Sequence, residues 1–61
     1  MREEITIRRQ RAAQAMAIVS IQAECSLGDA LSLMVDRATF QRCALDEIAR
    51  SVLDGTLRFG D

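Results

Sequence analysis

The stretch QAMAIVSIQA, residues 14–23, is apolar on nearly every side once it is wound into a helix. At about 100° per residue its apolar side chains spread over opposite faces, and only Ser20 interrupts the run between the two glutamines. A chain of 61 residues has few elements with which to cover such a helix. What covers each face therefore decides the fold.

The rest of the chain also favours helix. It contains no proline and only three glycines, and it is rich in alanine, leucine, arginine and glutamate. The pattern predicts one long helix over about 2–23, a second over about 27–39 and a third over about 45–53. We therefore expect an all-α domain, a small three-helix bundle in which the long N-terminal helix supports two short ones.

Capping residues indicate where these helices start and stop. Ser26 is a good N-cap for the second helix, and Asp29 three residues later completes a capping-box pattern. Gly55 is a natural stop for the third helix. The tail after it has no clear structure, although Leu57 and Phe59 could fold back onto the bundle.

Apolar spacing predicts which face of each helix is buried. On the first helix the core face is expected to comprise Ile5, Ala12, Met16, Val19 and Ala23. The stripe of the second helix comprises Leu27, Ala30, Leu31, Met34 and Ala38, and that of the third comprises Leu45, Ile48, Ala49, Val52 and Leu53.

The opposite face of the first helix has nothing in its own chain to pack on. Ile7, Gln14 and Ile21 are spaced by seven, as in a coiled-coil seam with one polar position, and Ile18 lies beside them. These four residues predict a homodimer through the first helix. The alternative is that the two short helices clasp both faces of its C-terminal half.

The composition argues against an enzyme, a metal site and a cofactor. The chain has no histidine, no Cys-x-x-Cys pair and no glycine-rich phosphate loop. Cys25 and Cys43 are expected to be reduced, buried apolar groups. No run reaches the roughly 20 apolar residues of a membrane span, and no signal peptide is visible, so we expect a cytoplasmic protein without a membrane partner.

From Arg8 to Gly55 the sequence resembles an ANTAR domain, the RNA-binding antiterminator module of bacterial signalling proteins. The resemblance is carried by several short features, all of which align with the family pattern without a gap. They are the run Ala15-Met16-Ala17-Ile18-Val19, the helix start Cys25-Ser26, the alanines Ala30, Ala38 and Ala49, and the apolar pair Leu45 and Ile48. It implies an all-helical domain that dimerises through its first helix and binds paired RNA hairpins in nascent transcripts to prevent termination. Family members usually follow a receiver or GAF sensor domain, which leaves open a separate sensor or receiver protein as a partner.

Four positions depart from the family pattern. A family lysine is Met16 here, a glycine is Ala17, a basic residue after the second helix's leucine is Val35, and an asparagine between the second and third helices is Arg42. The net charge is −1, so any RNA binding must depend on where the arginines lie.

The candidate RNA-binding residues are Arg37, Arg42 and Arg50, since arginine binds phosphates and stacks on loop bases. The alternative is an ANTAR-like dimerisation or protein-interaction module that has lost RNA affinity. A helix-turn-helix DNA binder ranks third. If the third helix were the recognition helix, the acidic residues Asp46 and Glu47 would stand at its N-terminal end, where base edges and phosphates are contacted.

Overall fold

Three α-helices and no strand make up the part of the chain that the computed structural model describes, residues 2–60, with side chains from residue 5 onward. Helix α1 spans Arg2–Ala23, α2 spans Leu27–Gln41 and α3 spans Leu45–Asp54. Each helix contacts both of the others. The predicted all-α class with three helices is confirmed, and α2 continues two residues beyond its predicted end.

No single helix within the described residues is long and apolar enough to cross a bilayer. Only the pair Ile5–Ala23 and Leu27–Gln41, which is bent by 101° at the break, meets that length and composition requirement when taken together.

All three helices end in the same way, with one residue in the left-handed region. These residues are Glu24 (φ 54°), Arg42 (φ 56°) and Gly55 (φ 81°). The N–H of the following residue then donates to a carbonyl five positions back. The bonds run from Cys25 to Ser20, from Cys43 to Ala38 and from Thr56 to Ser51, each with an N···O distance of 3.0 Å. This is the Schellman arrangement, and it turns the chain sharply enough for three-residue connections to suffice.

The two short helices start differently. Ser26 is the N-cap of α2, and its Oγ accepts the N–H of Asp29 at 3.1 Å, which confirms the predicted cap. At the same position before α3, Ala44 has no side-chain oxygen to offer. The Glu47 carboxylate accepts the N–H of Ala44 at 3.3 Å, so only half of a capping box is formed there.

The core lies between the helices and is built from small side chains. Its buried residues are Ala15, Val19, Ala30, Met34, Ala38, Ile48, Ala49 and Val52. Half of them are alanines, which lets the helix backbones approach closely. The three alanines of the family resemblance are among them.

The predicted stripes are corrected at several positions. Ala15, which the stripes omitted, is fully buried beside Val19 and marks the centre of the packed face of α1. The exposed residues that had been placed in the stripes are Ile5, Leu27, Leu31 and Leu53. Buried residues recur every four positions on α2, at Ala30, Met34 and Ala38, so the outer members of its broad apolar stripe face solvent.

Two long-range contacts join α1 to later parts of the chain. Arg11 Nη1 on α1 donates to both carboxylate oxygens of Asp46 at 2.8 Å, in the first turn of α3. The N–H of Phe59 donates to Gln22 Oε1 at 3.1 Å, and Leu57 and Phe59 pack against the core. The tail therefore folds back onto the bundle.

Both cysteines are free and half-buried against the core. The expectation that both are buried is therefore met only in part, since Cys25 and Cys43 lie in turns at the edge of the bundle. Desolvation, together with the neighbouring Glu47 carboxylate, raises the pKa of the Cys43 thiol. The thiol therefore remains neutral at physiological pH and is a poor nucleophile.

Candidate nucleic-acid interface

Arg42 is the left-handed C-cap of α2, and its side chain is exposed. Its backbone N–H donates to Thr39 O at 3.2 Å, which holds the turn while leaving the guanidinium free to move. Arg42 forms no ion pair with another described residue. It is an exposed cation on a hydrogen-bonded turn.

Arg50 stands on the solvent side of α3, between the buried Ala49 and the half-buried Ser51. No ion pair with another described side chain engages it. Arg42 and Arg50 thus meet the first requirement of a phosphate-binding residue, an accessible positive charge.

Arg37 has a different environment from the other two candidates. Its side chain is half-buried, and its guanidinium carbon lies 5.9 Å from the centre of the Phe59 ring, within cation–π distance. Its Nε is shielded from solvent and has no hydrogen-bond partner. Arg37 is therefore less open to solvent than Arg42 and Arg50, and it lines a groove against the C-terminal tail, while its part in RNA binding stays a prediction.

This groove, which we call the Phe40 groove, has a volume of about 470 Å³. It is lined by Leu33, Asp36, Arg37, Phe40, Arg58 and Phe59. Both phenylalanines, the only aromatic residues of the chain, line it together with two arginines. Proteins that bind single-stranded nucleic acids combine aromatic rings, on which bases stack, with basic groups that contact phosphates.

Phe40 is not among the predicted site residues, because the predicted second helix ends one residue before it. Leu33, Arg37 and Phe40 are spaced i, i+4, i+7, which is the spacing of residues on one helix face. That signal was available in the sequence. The contribution of Arg58 and Phe59 was not, because it depends on how the tail docks.

The predicted dimer seam is largely exposed. Ile7 and Ile21 retain 51% and 77% of their surface, and Gln14 is also exposed. Ile18 differs, since it is half-buried and packs against the core of its own chain. The free stripe on α1 is therefore the heptad line Ile7, Gln14 and Ile21, with Ile18 at its boundary with the core.

A second groove, of about 340 Å³, lies between α1 and the start of α3. It is lined by Ile5, Arg8, Arg9, Ala12, Leu45 and Asp46. The described residues hold no group of three or more histidine, cysteine or acidic side chains that could bind a metal ion. No family profile, characterised protein or solved structure matches the chain.

Proposed function

We propose that this chain is a cytoplasmic RNA-binding regulator of transcription antitermination that acts as a homodimer on hairpin RNA. The observation that carries the proposal is that α1 exposes a heptad line of apolar side chains while arginines are exposed elsewhere on the chain. These arginines lie on α3 and on the turn before it. A dimer formed through α1 would leave the arginines of both copies free.

The dimer is proposed to form through Ile7, Gln14 and Ile21, with Ile18 at the edge. Exposed isoleucines in a heptad line gain burial only from a partner chain, and each fully buried isoleucine contributes roughly 1.5–3 kcal/mol. The ANTAR resemblance adds support, since it implies a domain that dimerises through its first helix.

The RNA surface is proposed to contain Arg42 and Arg50. Arginine suits this role because its planar guanidinium binds phosphate oxygens through two hydrogen bonds and also stacks on unpaired bases. Two copies of each arginine in a dimer would suit an RNA with two hairpins. A separate sensor or receiver protein remains a proposed partner for the control of this activity.

A dimerisation module without RNA affinity is the second candidate. The net charge of −1 favours it, since the chain has no overall attraction to a polyanion. The exposed stripe on α1 fits this candidate equally well. The two candidates differ only in what Arg42 and Arg50 do.

Sequencing the RNA that copurifies with the protein from cellular transcripts tests the proposal. We expect enrichment of paired hairpins that precede terminators. The matched control is the double variant Arg42→Glu, Arg50→Glu, which keeps the α1 stripe. An RNA pool from the wild-type protein that is indistinguishable from the pool of this variant would favour the dimerisation module.

A further inference from the structure

The Phe40 groove contains an aromatic ring that the fold does not use. Phe40 is 82% exposed, the largest exposed fraction among the big apolar side chains described. It lies in the last turn of α2, so its backbone is held by a regular helix. An accessible ring face is what a nucleobase needs for stacking.

Charged residues line the same groove as this ring. Arg37 is held against the Phe59 ring, while Arg58 is exposed. The shielded Nε of Arg37 is a donor without an acceptor in the described chain. An occupant with oxygen or nitrogen acceptors would supply that acceptor after a small side-chain shift, whereas an apolar occupant would leave it unpaired at a cost.

We propose that the Phe40 groove binds one unpaired base of an RNA loop, stacked on the Phe40 ring, with the adjoining phosphate held by Arg58. The inference rests on the proposed RNA binding and adds to it a site for reading an unpaired nucleotide. Arg58 and Phe59 follow Gly55, beyond the stretch that resembles the family. The resemblance therefore does not imply this groove.

Asp36 gives the groove a preference among bases. Its carboxylate would repel a phosphate, but it accepts hydrogen bonds from amino groups. Adenine, guanine and cytosine each carry an exocyclic amino group, and uracil carries none. The groove should therefore favour loops with amino-bearing bases over uracil.

Hairpins with one common stem and five different loops test the site. Four loops are made only of adenine, cytosine, guanine or uracil, and the fifth has abasic sugars. We expect at least one amino-bearing loop to bind roughly tenfold or more tightly than the uracil and abasic loops. Phe40→Leu should abolish that difference without changing the dependence of affinity on salt, because leucine keeps the apolar bulk and no charge is altered.

Val35→Ala is the matched control, since Val35 is also an exposed apolar residue of α2 and does not line the groove. This variant should keep the preference for amino-bearing loops. Equal affinity of the wild-type protein for all five loops, together with salt-dependent binding through Arg42 and Arg50, would overturn the base site and leave the proposed function standing. Absence of binding to every hairpin would overturn both.

Light scattering on Phe40→Leu distinguishes the other occupant that the groove could receive, a second copy of the chain. We expect this variant to keep the mass of the wild-type protein. Conversion from a dimer to a single chain would show that Phe40 lies between two copies, and the base site would be rejected.

Discussion

Ser26 and Ala44 occupy the same N-cap position in front of α2 and α3, and they differ by one oxygen atom. The Ser26 hydroxyl accepts a backbone N–H of the first turn, whereas Ala44 cannot. Glu47 already supplies the return bond to the Ala44 N–H. A serine at position 44 would therefore complete a capping box whose other half exists.

Substitutions at these two caps should change stability in opposite directions. Ser26→Ala should lower the free energy of unfolding by about 1 kcal/mol, and Ala44→Ser should raise it by up to about 1 kcal/mol. Urea unfolding at one fixed protein concentration measures both changes. A destabilised Ala44→Ser protein would show that the turn at Ala44 is held by something other than its cap.

The ends of α1 and α2, unlike the end of α3, could not be predicted from residue type. Gly55 predicts the end of α3, because glycine adopts positive φ without strain. Glu24 and Arg42 adopt similar angles although their residue types disfavour them. Their conformation is imposed by the Schellman bonds and by the packing of Cys25 and Cys43 against the core, which are tertiary effects.

At the scale of elements, α1 is the helix whose orientation the sequence leaves open. Apolar residues surround its C-terminal half, so periodicity alone cannot select the packed face. The predicted core face included the buried Val19 but omitted the buried Ala15. Alanine gives a weak apolar signal, although its small size suits close helix packing. On α2, the i, i+4, i+7 spacing that ends at Phe40 was sufficient to extend the helix.

The C-terminal tail completes the Phe40 groove. The tail packs closely against α1 at Gly60. A Cβ atom at Gly60 would overlap the backbone carbonyl of Gln22, which cannot move without disturbing α1. Gly60→Ala should therefore lift the tail and break the bond from the Phe59 N–H to Gln22. We expect a loss of roughly 1–2 kcal/mol in unfolding free energy and faster amide exchange at Phe59.

Gly28→Ala provides the control for this substitution. The nearest atom to a Cβ at Gly28 is Ser26 Oγ at 3.9 Å, an ordinary contact, and the position lies within α2. This variant should be stabilised by up to about 0.5 kcal/mol, since alanine favours helix over glycine, although less in the first turn than in the middle of a helix. Similar stability changes in the two variants would contradict the docking of the tail through Gly60.

At the scale of the whole molecule, the small core and the large exposed apolar surface point to a partner. Among the described residues the only buried side chains larger than alanine are Val19, Met34, Ile48 and Val52. Nine large apolar residues are exposed in the same part of the chain: Ile5, Ile7, Ile21, Leu27, Leu31, Leu33, Val35, Phe40 and Leu53. Since a domain of this size gains little stability from its core alone, we infer that association supplies part of it.

Ile21→Glu tests association through α1. Ile21 is 77% exposed in the single chain, so the charge should leave the helical fold intact. In the dimer seam it would be buried at a cost of several kcal/mol, and light scattering should show the mass falling from two chains to one. Ala13→Glu, an exposed position about 100° round α1 from Gln14, should remain dimeric. A wild-type protein with the mass of one chain would contradict the proposed dimer.

The salt dependence of RNA affinity tests the central claim most directly. The measurement compares the wild-type protein with Arg42→Glu and Arg50→Glu on a hairpin recovered from cellular transcripts. Arg9→Glu, an exposed substitution on α1, is the control. Each reversal at Arg42 or Arg50 should reduce affinity strongly, while the free energy of unfolding changes by at most roughly 0.5 kcal/mol.

Losing one phosphate contact should also lower the magnitude of the slope of log affinity against log salt by about 0.7 to 0.9. The slope of Arg9→Glu should stay close to that of the wild-type protein. Unchanged affinity and slope for both Arg42→Glu and Arg50→Glu would contradict the RNA-binding account.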